Sequence, residues 1–157
     1  TEVKRKADVQ GREFAKKYHK EDYHIFTAGG NTWGEVYCYA MCVLEEMQWI
    51  RTKSVTASDF FHGTLELVDE DVHVVIIKGE DESRAVTDRI EAFCGSYSKK
   101  VTVYDTKDYA LEGIDQEYRS MFSPLVICAA LGRINPHMEY ATGHSLSFRR
   151  YYKVVEY

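Results

Sequence analysis

The segment VHVVIIK, residues 72–78, contains a nearly continuous run of apolar β-branched residues. Such a run is typical of a strand that is buried on both faces, as in a parallel sheet covered by helices. Two further runs, YHIFTA at residues 23–28 and VTVY at residues 101–104, are rich in β-branched and aromatic residues and predict two more strands. A shorter strand candidate lies at residues 54–57. The sequence therefore predicts a sheet of four strands.

Helical patterns separate these strands. Residues 34–51 have one apolar stripe at helical spacing, formed by Val36, Ala40, Val43, Met47 and Ile50. Three more helices are predicted: one with Asp59 as its N-cap, one that contains Val86, Ile90 and Phe93 and ends at Gly95, and one with Ser123 as its cap and Pro124 in its first turn. Because the last helix is apolar on most sides, we expect other elements to cover two opposite sides of it. The alternation indicates an α/β fold, an open parallel sheet with helices on both faces in three layers.

The length and the N-terminal segment bound the domain organisation. The chain has 157 residues, of which 45% are hydrophobic, and this length predicts a single domain. Residues 1–20 are rich in charge and place Phe14 and Tyr18 one helical turn apart. This pattern suits a surface helix, or else a solvated lead-in to the α/β domain at residues 21–157.

The composition excludes several classes of protein. The formal net charge of −5 argues against general nucleic-acid binding. No apolar run reaches the ~18 residues of a membrane span, and residues 1–6 do not begin a secretory signal, so we expect a cytoplasmic protein without a membrane partner. The four cysteines lie in apolar segments without a CxxC pair and are predicted to be buried packing residues: Cys38, Cys42, Cys94 and Cys128.

Two neighbouring glutamates differ in their position on the helix predicted at residues 34–51. At 100° per residue, Glu45 falls opposite the apolar stripe and Glu46 falls beside it. A carboxylate at the edge of an apolar face is partly desolvated, which suits a general base. The same position also suits a glutamate that reaches to solvent or forms an ion pair.

His62 is a second candidate for acid–base chemistry. It falls near the third position of the helix that Asp59 is predicted to cap, where the helix dipole favours a neutral imidazole. A hydrogen-bonded structural histidine is the alternative. Glu66 lies one turn further on, but two ligands without a third do not predict a metal site.

Two segments are candidates for binding an anion. The turn at residues 29–32, between a strand and a helix, could hold a phosphate on its backbone N–H groups, or it could be a turn that simply needs glycine. The C-terminal segment at residues 149–153 is basic and aromatic and could cover an anionic ligand, or could pack as a terminal strand. We predict substrate contacts from Arg150, Tyr151 and Tyr152.

Three motifs resemble one known family. Residues 58–68, SDFFHGTLELV, resemble the signature of sugar isomerase (SIS) domains. Residues 79–84, GEDESR, and residues 149–157, RRYYKVVEY, resemble the fructoselysine-6-phosphate deglycase branch of that family. Members of this branch contain two SIS halves, and the resemblance implies that this chain is the second half, with residues 1–20 as a former linker. It also implies that the loop that holds the sugar phosphate belongs to the first half.

The resemblance implies a catalytic pair. The family places a glutamate base sixteen residues before the signature histidine, which matches Glu46 and His62. It further implies a homodimer in which the histidine reaches the site of the partner subunit. Two lysines of the related isomerising synthases are replaced here by Val43 and a residue near Tyr151, and the usual proline after His-Gly is Thr64. These differences favour a deglycase over an isomerase.

The resulting expectation is a deglycase that cleaves fructosamine 6-phosphates, a class of Amadori product, to glucose 6-phosphate and a free amine. Glu46 and His62 supply the acid–base chemistry, and no metal or organic cofactor is expected. An isolated half could be inactive. Two alternatives are a non-catalytic domain that senses a phosphosugar and a ketose–aldose phosphosugar isomerase.

Overall fold

The sheet has four parallel strands in the computed structural model, which describes residues 2–157. The strands are β1 (Tyr23–Ala28), β2 (Arg51–Thr56), β3 (His73–Lys78) and β4 (Val101–Asp105). Their order across the sheet is β2-β1-β3-β4, and all three strand pairs are parallel. All six residues of β3 are buried, as expected for a central strand of a sheet covered on both faces. The predicted parallel sheet is confirmed.

Seven α-helices surround the sheet within the described range: α1 (Glu2–Tyr18), α2 (Trp33–Cys38), α3 (Glu46–Gln48), α4 (Ala57–Phe60), α5 (Arg84–Tyr97), α6 (Gln116–Leu131) and α7 (Ile134–Thr142). Short 3₁₀ turns lie at Gly30–Thr32, Thr64–Leu67 and Thr106–Asp108. Phe26 and Val75 belong to a core with α1, α6 and α7, whereas Ile25 and Val74 belong to a second core with α4 and α5. Alternate strand residues therefore face opposite helix layers, which confirms the three-layer arrangement.

Helix α1 packs as part of the domain. Phe14 and Ala15 are buried in the first core, and the helix contacts both α6 and α7. A Cβ atom built on Gly11 would lie 2.6 Å from the carbonyl oxygen of Arg133, so the two backbones approach closely at this point. The alternative of a solvated lead-in is therefore wrong for residues 2–18. The origin of residues 1–20 as a linker stays a prediction.

The helix predicted at residues 34–51 is broken into pieces. Its middle, Tyr39–Glu45, is a π-helix between α2 and α3, and it ends at Gln48. Trp49 then adopts a left-handed conformation with φ of 58°, which stops the helix and turns the chain into β2. Strand β2 consequently begins at Arg51, three residues before the predicted start.

The predicted helix starts at Asp59 and Ser123 are wrong. Helix α4 begins at Ala57, and Thr56 is its cap because its Oγ1 accepts a hydrogen bond from the Asp59 N–H at 3.3 Å. Helix α6 begins at Gln116, so Ser123 and Pro124 both lie inside it. One outer side of α6 is exposed, so residues 2–157 do not cover this helix on both sides as expected.

Two smaller predictions are also wrong. Helix α5 continues past Gly95 to Tyr97. Cys94 alone of the four cysteines is buried, whereas Cys38 and Cys128 are exposed and Cys42 is partly exposed. Over residues 2–157, no helix is both long enough and apolar enough to cross a membrane.

Candidate active site

A cavity of about 730 Å³ lies where helix α3, the start of β2 and the C-terminal segment meet. Its lining comes from these three elements: Glu45, Glu46, Trp49, Ile50, Arg51, Thr52, Arg149, Arg150, Tyr151, Tyr152 and Tyr157. Three predicted substrate contacts, Arg150, Tyr151 and Tyr152, thus share one cavity with Glu46. The wall combines aromatic rings, guanidinium groups and carboxylates.

Glu46 is held by an ion pair. Its Oε1 accepts a hydrogen bond from Arg149 Nε at 2.9 Å, and its side chain is 34% exposed. Glu45 is more exposed, and it accepts a hydrogen bond from the hydroxyl of Thr52. The two adjacent glutamates therefore differ in environment, with Glu46 facing a cation and Glu45 facing a neutral donor.

The C-terminal segment, residues 143–157, has neither helix nor strand and is attached to the end of α3 by side chains. Gln48 Nε2 donates to the carbonyl oxygen of His144 at 2.9 Å, and Thr142 Oγ1 donates to Gln48 Oε1 at 3.2 Å. The guanidinium of Arg150 lies 4.1 Å from the ring centroid of Trp49, a cation–π distance. These contacts place the segment over the face of the helix that contains Glu46.

His62 lies elsewhere. It is exposed in the turn after the C-terminal end of α4, where its N–H donates to the Asp59 carbonyl at 2.9 Å. The predicted place near a helix N-terminus is therefore wrong, and the dipole argument for a neutral imidazole does not apply. The six residues of β2 lead from the cavity at Arg51 to Thr56, roughly 17 Å away. Within one chain, Glu46 and His62 thus lie near opposite ends of β2.

The turn at residues 29–32 is already occupied by a carboxylate. The N–H of Asn31 donates to Asp81 Oδ2 at 2.7 Å, and the N–H of Ser83 donates to Asp81 Oδ1 at 2.9 Å. Burial opposes ionisation of Asp81, but the hydrogen bonds from Ser83 and Asn31 outweigh it and lower its pKa. Together with Asp81, Glu80 and Glu82 line a second cavity beside this turn. The alternative in which this turn simply needs glycine is favoured, because a phosphate here would meet three acidic side chains.

The GEDESR motif at residues 79–84 stabilises this edge of the sheet. Arg119 donates to both carboxylate oxygens of Glu80, at 2.9 and 2.8 Å. Arg84 donates to Asp105 Oδ1 at 3.0 Å and to Oδ2 at 2.5 Å. These bidentate pairs join the loop after β3 to α6 and to the end of β4, so the motif has a structural role in this chain.

Two site features were missed by sequence reasoning. Trp49 lines the cavity through its left-handed backbone, and no pattern in the sequence predicts that conformation. Arg149 pairs with Glu46 across 103 positions of the sequence, and no local pattern indicates a contact at that separation. Within residues 2–157, His, Cys, Asp and Glu side chains form no group of three or more that could hold a metal ion.

Known proteins provide a comparison for the whole chain. No family model matches it. Fructosamine deglycase FrlB of Bacillus subtilis (strain 168) is 37% identical over 155 residues, which are 99% of this chain and 47% of that protein. Fructoselysine 6-phosphate deglycase of Escherichia coli O157:H7 is 29% identical over 122 residues, 77% of this chain and 34% of that protein. A crystal structure of a candidate phosphosugar isomerase from Bacillus subtilis is 36% identical, with a TM-score of 0.93, and the match covers 99% of this chain and 48% of that one.

These matches agree with the parallel sheet flanked by two helix layers. The chain spans about half or less of the length of the curated relatives it matches. The similarity nevertheless extends over nearly all of this chain, from α1 to the C-terminal segment. We conclude that the chain is a half-size α/β domain with the sugar isomerase (SIS) fold, similar over nearly its whole length to a fructosamine deglycase.

Proposed function

We propose that this chain is the phosphosugar-binding SIS domain of a deglycase, which cleaves fructosamine 6-phosphates to glucose 6-phosphate and a free amine. The observation that supports this most strongly is the position of Glu46 in the wall of a cavity with Arg150, Tyr151 and Tyr152. The named activities of the relatives in Bacillus subtilis and Escherichia coli point to the same reaction. In this proposal the domain is the second half of a longer protein.

Glu46 acts as the general base in this reaction. It removes a proton from C1 of the open-chain substrate, and the electron pair forms an enaminol with a C1–C2 double bond. Reprotonation at C2 then produces an imine between C1 and the amine nitrogen. Water adds to the imine carbon and the amine leaves, so that C1 becomes the aldehyde of glucose 6-phosphate. No oxidant or reductant is needed.

His62 acts from the partner subunit of a homodimer, where it helps open the sugar ring and moves a proton at the ring or carbonyl oxygen. Glu46 and His62 are separated by the length of β2, and one chain alone does not bring them together. This separation supports an arrangement in which the histidine comes from the partner subunit. The exposure of His62 leaves its ring available to another chain.

The cavity supports binding of a substrate with both polar and apolar parts. Arg51 and Arg150 supply positive charge, and Trp49, Tyr151 and Tyr152 supply flat apolar faces. Guanidinium groups pair well with phosphate or carboxylate oxygens. The turn at residues 29–32 already binds the carboxylate of Asp81 and is an unfavourable place for a phosphate, which agrees with a phosphate-binding loop in the other half of the protein.

The test is product analysis with the full-length protein and a synthetic fructosamine 6-phosphate. We expect glucose 6-phosphate and free amine in equal amounts. Glu46→Gln and His62→Ala should each lower kcat by about 10²- to 10⁴-fold, the usual contribution of a general acid or base. Glu70→Gln is the matched control, since it removes an exposed carboxylate that pairs with Lys99 away from the cavity and should leave kcat unchanged. Full activity of the Glu46 variant would refute the assignment.

A phosphosugar-sensing domain is the second candidate, and the absence of an assembled Glu46–His62 pair within one chain favours it. It predicts that the phosphosugar raises the melting temperature while no amine is released during long incubation. A ketose–aldose isomerase would instead leave the amine attached to the sugar, so the same product analysis separates all three functions.

A further inference from the structure

We propose that Arg149 is a positioning residue for Glu46, which orients the carboxylate and leaves one of its oxygens free to accept the substrate proton. This inference rests on the proposed function, because it assigns a further residue to the same reaction. It makes the folded C-terminal segment a requirement for the chemical step, in addition to its contacts with substrate.

The geometry of the ion pair is specific. A single nitrogen, Arg149 Nε, donates to a single oxygen, Glu46 Oε1, at 2.9 Å. No side chain or backbone group of the described residues donates a hydrogen bond to Oε2. One carboxylate oxygen is therefore bound by a cationic donor, and the other is free to accept a proton. A general base needs one carboxylate oxygen that is held and one that is free, because proton transfer depends on a defined orientation of the accepting oxygen.

Arg149 is itself held by the backbone of its own segment. Its Nη1 donates to the carbonyl oxygens of Leu146 at 2.7 Å and Phe148 at 2.8 Å. Only 17% of its side chain is exposed, half the value for Glu46. A guanidinium group that is fixed by two carbonyls has little freedom to follow a mobile partner, so it determines where the carboxylate lies.

The segment and the helix are joined at a second point, two residues beyond Glu46. Gln48 binds the carbonyl oxygen of His144 through its amide nitrogen and the hydroxyl of Thr142 through its amide oxygen. These contacts involve no charge and lie outside the cavity lining. They keep the segment in register with α3, so that loss of the Arg149 charge changes the carboxylate without releasing the segment.

The test is a double-mutant cycle in the full-length protein with a fructosamine 6-phosphate as substrate: wild type, Arg149→Met, Glu46→Gln and both changes together. We expect Arg149→Met to lower kcat about 10-fold or more with little change in KM, and to cause no further loss when Glu46 is already glutamine. Arg149→Lys should recover part of kcat.

Arg133→Met is the matched control. Arg133 also pairs with a carboxylate, that of Asp8, through its Nε at 2.9 Å, but this pair joins α1 to the start of α7 away from the cavity. Arg133→Met should therefore leave both kcat and KM unchanged. A loss in Arg149→Met that is confined to KM, or that multiplies with the loss in Glu46→Gln, would overturn the inference.

The melting temperature provides a readout that does not depend on turnover. Should the wild-type protein release no amine, the proposed function fails, and the same four proteins are compared by thermal unfolding. If Arg149 pairs with Glu46, Arg149→Met should lower the melting temperature of the protein with Glu46 but not that of the Glu46→Gln variant. Equal shifts in both backgrounds would show that Arg149 does not act through Glu46.

Discussion

The Nδ1 atoms of His24 and His73 lie 2.7 Å apart in the core, where β1 and β3 pair these two residues side by side. One ring must donate and the other accept, so the two rings cannot both be doubly protonated without losing this hydrogen bond. Burial lowers the pKa of His24 to about 4, and burial together with the neighbouring His24 lowers the pKa of His73 to about 2. His73 Nε2 also pairs with Thr102 Oγ1 at 2.9 Å, which links the pair to β4.

This pair predicts that the protein loses stability in mild acid. Above the ordinary histidine pKa of 6.5 both rings are neutral in the folded and unfolded states, and they add no pH dependence. Below it the unfolded chain takes up protons that the folded core excludes, so the free energy of unfolding falls by about 1.4 kcal/mol per pH unit for each histidine. For His24 this decrease in the free energy of unfolding continues down to a pH of about 4.

Urea denaturation between pH 7.5 and pH 5 measures this slope. His62→Gln is the control, because His62 is exposed and its loss should leave the slope unchanged. A free energy of unfolding that stays constant from pH 7 to pH 5 would contradict the buried neutral pair.

Gly11 should not tolerate a side chain. A Cβ atom there would lie 2.6 Å from the Arg133 carbonyl oxygen, so Gly11→Ala must push α1 away from the start of α7. We expect a loss of about 1–3 kcal/mol in the free energy of unfolding. Gly95→Ala is the matched control in α5, where nothing lies within 4 Å of the new atom, and it should stabilise by about 0.5–1 kcal/mol. Equal effects of the two substitutions would contradict the close approach of α1.

The Glu80–Arg119 pair should matter far more than a surface pair. Glu80 is only 4% exposed, and burial disfavours its ionised form, yet hydrogen bonding and charge from Arg119 lower its pKa. Arg119→Leu leaves a buried carboxylate without its partner and should cost about 3 kcal/mol or more of unfolding free energy. Lys99→Met removes the exposed partner of Glu70 and should cost about 1 kcal/mol or less. Chemical denaturation distinguishes the two, and similar losses would argue against a buried pair.

Asn31 compensates for Pro124 inside α6. A proline has no N–H, so the carbonyl of Ser120 lacks its helical donor, and Asn31 Nδ2 donates to it at 2.6 Å instead. Asn31→Ala should lower the free energy of unfolding by about 1 kcal/mol or more. In a Pro124→Ala background the helix supplies its own donor, and the same Asn31 substitution should cost less. A cost that is identical in both backgrounds would show that Asn31 does not serve this carbonyl.

The sequence by itself determined the layered architecture. The run VHVVIIK at residues 72–78 and the helical stripe that follows Val36 depend on periodicity over neighbouring residues, and burial of apolar faces enforces that periodicity in any packing. Helical spacing also distinguishes Glu46 from Glu45, although residues 39–45 form a π-helix and not a helix with 100° per residue. The ends of helices are less predictable from sequence. Asp59 and Ser123 have side chains that often cap helices, but both lie inside a helix and not at its N-cap position.

Tertiary structure decided how the site is assembled. The pairing of Glu46 with Arg149, the contact of Asn31 with Asp81, and the separation of Glu46 from His62 all depend on parts of the chain distant in sequence. Local patterns report which face of an element is apolar, but not which charged group lies opposite a given side chain. That choice is made when the strands pair and the C-terminal segment folds over α3, because only then does Arg149 come within hydrogen-bonding distance of Glu46.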